Sequence, residues 1–156
     1  NDSKKITLQR REKLFPEIAS DSISFGVGII NNDIIDKVNI LNATKKAVIK
    51  SVEYLSVKPD ILLIDALGMR ELNIEQMSFT KGDARVYSIG AASIIAKVIR
   101  DRIMRHYDSI YPGYGFGKHM GYGTKVHLKA IEDLGVTEIH RKTFKPIRRD
   151  YQARLF

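Results

Sequence analysis

The sequence predicts an α/β fold, and three observations carry that expectation. The first is a short unbroken apolar run, Ile61-Leu62-Leu63-Ile64, bounded by Asp60 and Asp65, as in a strand buried on both faces. The second is a helical pattern over residues 91–107, with Ile94, Ile95, Val98, Ile103 and Met104 at its apolar positions. The third is their order: strand, helix, buried strand, strand, helix.

The elements follow in sequence. Asp2 or Ser3 can cap a helix over residues 4–18 that breaks near Pro16. Residues 22–30, SISFGVGII, are β-branched and alternate well enough for a strand, and Asn31-Asn32-Asp33 is turn material. Residues 34–55 are expected to be helical with an interruption near residues 39–42. Ala47, Val48, Val52 and Leu55 give the second half its spacing, and Pro59 ends it. Residues 68–82 have no firm pattern, and residues 85–89 are expected to be a further strand. Residues 111–124 form a glycine-aromatic loop, and a helix over Lys125–Leu134 stops at Gly135. No repeat or linker interrupts the chain, so residues 1–156 are expected to form a single domain.

Composition narrows the partners. The 156 residues suffice for one domain that buries roughly 70% of its extended-chain surface. No apolar run approaches the ~18 residues of a membrane span. The absence of cysteine excludes disulfides and thiolate metal sites and fits a reducing compartment. A net charge of +8 favours a polyanionic partner, either nucleic acid or an anionic membrane surface. The basic residues sit at Lys4-Lys5, Arg10-Arg11, Lys45-Lys46 and from Arg141 to Arg154, among Gly, Ser, Tyr and His, as on a folded basic surface.

Asp65 follows a buried run directly, at the strand end where α/β folds place their ligands, although a plain turn cap would look the same. Asp101 lies one helical turn after Lys97, and by itself this is an ordinary solvated ion pair worth a few tenths of a kcal/mol. Asp83, in Lys81-Gly82-Asp83-Ala84, is a third acid or a turn residue. The stretch YPGYGFGKHMGYGTKVH, residues 111–127, sets tyrosines and a phenylalanine among glycines, Lys118, His119 and Lys125. That composition suits a surface on which bases and sugars stack, or a structural aromatic loop. His119 and His127 lack the cysteines or the HExxH spacing of a zinc site.

Taken together, these stretches resemble the type-2 ribonucleases H, bacterial ribonuclease HII. The matching segments are DSKK (2–5), NILNAT (39–44), KPDILLIDA (58–66), KGDA (81–84), SIGAASIIAKVIRDR (88–102), residues 111–127, and IHRKTFKP (139–146). They span essentially the whole chain, in order. The resemblance implies a ribonuclease-H-like mixed sheet flanked by helices, with a C-terminal helical part. It implies an endonuclease that cuts the RNA strand of RNA–DNA hybrids, and single ribonucleotides embedded in duplex DNA, as in ribonucleotide excision repair. Two divalent ions, Mn²⁺ or Mg²⁺, would be held ~4 Å apart by four carboxylates, leaving 5′-phosphate and 3′-hydroxyl ends. Asp65 and Asp101 match two of those acids. Tyr122 matches a tyrosine that stacks on the deoxyribose beyond an RNA-to-DNA junction, and Ser3, Lys4 and Lys5 match the backbone-phosphate contact. A cytoplasmic monomer without a membrane partner is implied, and a sliding-clamp partner is left open.

The sequence departs from that pattern in two ways. The family's Asp-Glu-Ala-Gly-Arg-Gly motif, which carries the other two acids and the 2′-hydroxyl sensor, does not occur in these residues. The chain opens on Asn1 shortly before DSKK, and the expectation is a chain without the family's first two strands. Gly90 stands where alanine is usual. A basic chain that binds nucleic acid without cutting it is the other reading.

Overall fold

The computed structural model describes residues 6–145 and 147. They fall into two compact units, one of the described residues up to Gly28 with Ile49–Arg102, the other of Ile29–Val48 with the described residues from Ile103 onward.

In the first unit, helix α1 runs over Leu8–Asp21. Its cap is Thr7, whose side chain accepts from the Arg10 N–H at 3.3 Å. The caps expected at Asp2 or Ser3 lie outside the described residues. The expected break at Pro16 does not occur, because proline forfeits one backbone bond and the helix continues through it. Strand β1, Ile61–Asp65, pairs in parallel with β2, Glu75–Phe79, from Ile61↔Glu75 to Asp65↔Phe79. Residues 66–74 return the chain between them. Gln76 clasps this connection: its Oε1 accepts from the Met69 N–H at 2.9 Å, and its Nε2 donates to the Leu72 carbonyl at 3.2 Å. Met69 is buried beside it. Helices α3, Gly82–Arg85, and α4, Tyr87–Ile110, follow.

Three strand expectations change. Residues 22–30 are not a strand. Their backbone lies on the end of helix α2, Asn32–Glu53, with the Ser56 N–H donating to Ser24 Oγ at 2.9 Å. Gly26 makes this approach feasible, since a Cβ there would overlap the Ser51 carbonyl oxygen. Residues 85–89 are not a strand: Arg85 ends α3, only Val86 is extended, and residues 87–89 open α4, with Ile89 buried beside Gly82. Finally, β1 is half-exposed rather than buried on both faces, because among the described residues its sheet has two strands.

The second unit opens with the first part of α2. Asn31 Oδ1 accepts from the Ile34 N–H at 3.1 Å, and Asn39 Oδ1 caps the Asn42 N–H in the same way after a kink. Asn39 adopts φ 69°, where the expected interruption falls. The unit also holds the last turns of α4, α5 over Phe116–His119, and α6 over Lys125–Leu134. Thr124 caps α6 and Gly135 ends it. The core is Met104, Tyr114, Phe116, Met120, Ala130, Ile131 and Ile147. Burying each large apolar side chain contributes about 1.5–3 kcal/mol. No helix among the described residues is long and apolar enough to cross a membrane.

Candidate functional site

Asp65 ends β1, is exposed, and accepts the Gly82 N–H on Oδ1 at 2.9 Å. Gly82 can approach because it has no side chain: a Cβ would stand 2.7 Å from Ile89 Cδ1 and 3.3 Å from Phe79 Cβ. The KGDA segment therefore places a backbone donor against the strand-end acid. Asp83 follows in the first turn of α3 and lines, with Arg10, Tyr87 and Ile94, a cavity of about 750 Å³ in this unit.

Asp101 departs from the solvated pair expected on its helix. Lys97 does reach it, Nζ to Oδ1 at 2.6 Å, but Asp101 is only 1% exposed. The Arg11 guanidinium bonds Oδ2 at 3.2 Å, and Nη1 of the same group donates to the Ile6 carbonyl at 2.6 Å. A carboxylate in such a place needs cationic partners to offset desolvation, and here both oxygens have one. Arg102 turns the other way, bonding Glu12 at 2.6 Å and lying 4.6 Å above the Phe15 ring.

Asp65 and Asp101 share the first unit, but no cluster of three or more His, Cys, Asp or Glu that could hold a metal occurs among the described residues. Their oxygen chemistry suits hard divalent ions; their number does not, and Asp101 is already engaged by two cations. These residues do not form a metal centre by themselves. Ser3, Lys4 and Lys5 lie outside the described residues.

The second unit holds Tyr122 and a group of histidines. Tyr122 is 57% exposed while its backbone is pinned. Its N–H donates to the His119 carbonyl at 2.9 Å, and its carbonyl accepts from Thr124 N–H at 2.8 Å and from His127 Nδ1 at 3.0 Å. Of the aromatic residues expected to stack on a ligand, Tyr114 and Phe116 are instead core: both are buried, their rings parallel at 5.3 Å. His127 stacks on His119 at 4.4 Å, and its Nε2 meets His140 Nε2 at 3.2 Å.

His140 was not singled out by the sequence, nor was Asp36. The Asp36 carboxylate accepts the Lys142 N–H at 2.8 Å and the Thr143 N–H at 3.1 Å, while Asn32 Nδ2 donates to the His140 carbonyl at 3.0 Å. These bonds anchor the IHRKTF segment. Burial pushes the Asp36 carboxyl up, but the Thr143 hydroxyl and the two backbone donors outweigh it and hold the group below its ordinary value.

Burial pushes both His127 and His140 below the ordinary histidine value of 6.5. Each also faces histidine charge, His119 beside His127 and His127 beside His140. The unfolded chain then binds protons that the folded form refuses. Stability should be full above pH 6.5 and should fall as pH drops from there towards the lowered folded values. Thermal unfolding between pH 7.5 and 5 tests this. A melting temperature that rises on acidification would contradict it.

Comparison with known proteins adds kinship. The family model described as ribonuclease HII matches residues 1–147. A ribonuclease HII of Acetivibrio thermocellus is 55% identical over 144 residues, covering 92% of this chain and 56% of that protein. One from Bacillus cytotoxicus is 54% identical over 148 residues, covering 95% and 57%. The chain thus spans a little over half the length of these curated relatives. The crystal structure of the ribonuclease H2 from Pyrococcus horikoshii is similar in fold, with a TM-score of 0.77 at 23% identity, over 97% of this chain and 80% of that one.

Proposed function

Because the chain belongs to the ribonuclease HII family, we propose that its protein is an endonuclease cutting the RNA strand of RNA–DNA hybrids and single ribonucleotides embedded in duplex DNA. The observation that carries the reading is the match over residues 1–147, nearly the whole sequence. On this reading residues 1–156 belong to one ribonuclease-H-like domain. Asp65 and Asp101 are site acids, Tyr122 stacks at the RNA-to-DNA junction, and Ser3, Lys4 and Lys5 hold a phosphate. Mn²⁺ or Mg²⁺ would supply the attacking water and stabilise the leaving oxygen. Two acids are too few to hold such ions by themselves.

What the sequence and the described residues support is binding. A net charge of +8 attracts the phosphate backbone, and an exposed ring on a pinned backbone offers a stacking face at little entropic cost. The test is incision, with Mg²⁺ and with Mn²⁺, of a DNA duplex carrying one ribonucleotide. Metal-dependent cutting that leaves 5′-phosphate and 3′-hydroxyl ends is expected. Salt-dependent binding without cutting would select a non-cleaving nucleic-acid-binding protein instead.

Tyr122→Ala should impair cutting at the single ribonucleotide more than on a long hybrid, since only there does one junction set the register. A lost aromatic stack is worth roughly 1–3 kcal/mol. Equal loss on both substrates would make Tyr122 a packing residue.

A further inference from the structure

We infer that His127 and His140 are positioning residues for junction recognition, forming a buried proton-ordered relay from Thr137 to the Tyr122 carbonyl that fixes where the Tyr122 ring stands. The inference rests on the Tyr122 role proposed above and extends it to residues assigned no role there.

The proton order follows from groups that can only donate or only accept. A backbone N–H cannot accept, so the Thr137 N–H, 2.9 Å from His140 Nδ1, leaves that nitrogen unprotonated. The neutral His140 ring therefore carries its proton on Nε2. The Tyr122 carbonyl cannot donate, so His127 Nδ1, 3.0 Å away, must carry a proton. His127 Nε2 is then a bare lone pair, and it faces the His140 Nε2–H at 3.2 Å. The chain closes in one direction only: Thr137 to His140, His140 to His127, His127 to Tyr122.

His119 is fixed separately. Its Nδ1 accepts the Gly121 N–H at 3.2 Å, so its Nε2–H donates to the Tyr114 carbonyl at 2.8 Å. Every ring nitrogen of the three histidines thus has a partner, and His140 Nδ1 has two, since the Thr137 hydroxyl also stands 2.8 Å from it and can donate beside the Thr137 N–H. His119 does not turn a nitrogen to the other two, so the group falls short of a metal site. It serves as a stacking plate beneath His127, while Phe116 meets the His127 ring edge-on at 5.3 Å. With His127 at 5% and His140 at 6% exposure, water does not compete for these bonds, and a misplaced proton would set two N–H groups against each other.

The relay ends on a residue whose backbone is the support of an exposed ring. Removing the His127 donor takes away one of the bonds that hold the Tyr122 backbone, and the position of its ring along the junction should shift. The experiment separates this from general packing by replacing His127 in two ways. An asparagine amide falls near Nδ1 and keeps the donor to Tyr122, whereas a glutamine amide falls near Nε2 and loses it.

In the protein carrying this sequence, the readout is the ratio of cutting at one embedded ribonucleotide to cutting on a long hybrid. His127→Gln should lower that ratio about tenfold, as Tyr122→Ala does, and His127→Asn should leave it within about twofold of the parent. His127→Gln added to Tyr122→Ala should lower it no further. Long-range nitrogen–proton spectra of the imidazoles should place the protons on His127 Nδ1 and His140 Nε2. An Nε2–H on His127, or a His127→Gln ratio like the parent's while Tyr122→Ala lowers it, overturns the relay. An unchanged ratio in Tyr122→Ala overturns the Tyr122 role, and the positioning claim with it, even if the spectra place both protons as described.

Discussion

Asp65→Asn is expected to reduce hybrid cleavage by about 10²- to 10³-fold or more while leaving salt-dependent hybrid binding largely intact. The substitution is chosen for what it preserves. The asparagine oxygen can still accept the Gly82 N–H that Asp65 now accepts at 2.9 Å, so the end of β1 and the start of α3 keep their connection. Volume is unchanged and the position is exposed, so folding should be unaffected within about 0.5 kcal/mol. What disappears is a full negative charge at the strand end, the feature a hard cation or a developing positive charge would use. Rates on a long hybrid and on a single-ribonucleotide duplex, with binding measured across a salt series, give the answer. A variant that cuts at close to the parent rate would reduce Asp65 to a turn cap.

Local pattern reaches only as far as contacts near in sequence. The buried stripe of α4 was legible because Ile94, Ile95, Val98 and Met104 recur at helical spacing, and all four are buried. The stop at Gly135 was legible because glycine is cheap at a positive φ, and the kink at Asn39 because an Asn side chain can cap the helical turn that follows, as it does at the Asn42 N–H. Strand β2 was not, because EQMSF owes its conformation to its pairing with β1, which only the fold brings beside it. Residues 85–89 were misread because β-branched content does not reveal which neighbour it will pack against.

The site divides in the same way. Asp65 could be found from the apolar run before it, and Tyr122 from the glycine-aromatic loop. Arg11, ninety positions from Asp101, and His140, thirteen from His127, meet their partners only across the fold. A resemblance brought Asp101 forward; the spacing alone favoured a surface pair, and burial is what separates the two.

That burial predicts the second large effect, on stability. Arg11→Met should destabilise the protein by about 3 kcal/mol, a large share of the roughly 5–15 kcal/mol that holds a domain together. Methionine keeps most of the apolar stem of Arg11 but removes a cation from a carboxylate whose side chain is 2% exposed. Lys97 at 2.6 Å continues to offset the charge, which places the cost at the lower end for a broken buried pair. The Ile6 carbonyl also loses its donor, so part of the loss belongs to α1 rather than to the ion pair. A double-mutant cycle divides the two. In an Asp101→Asn background the same Arg11→Met change should cost clearly less, because the charge that needed Arg11 is gone. Urea unfolding of the parent, both single variants and the double variant measures this. A cost below about 1 kcal/mol, as for exposed pairs, or an equal cost in both backgrounds, would mean that Arg11 contributes by packing and that the Asp101 charge is held by other groups.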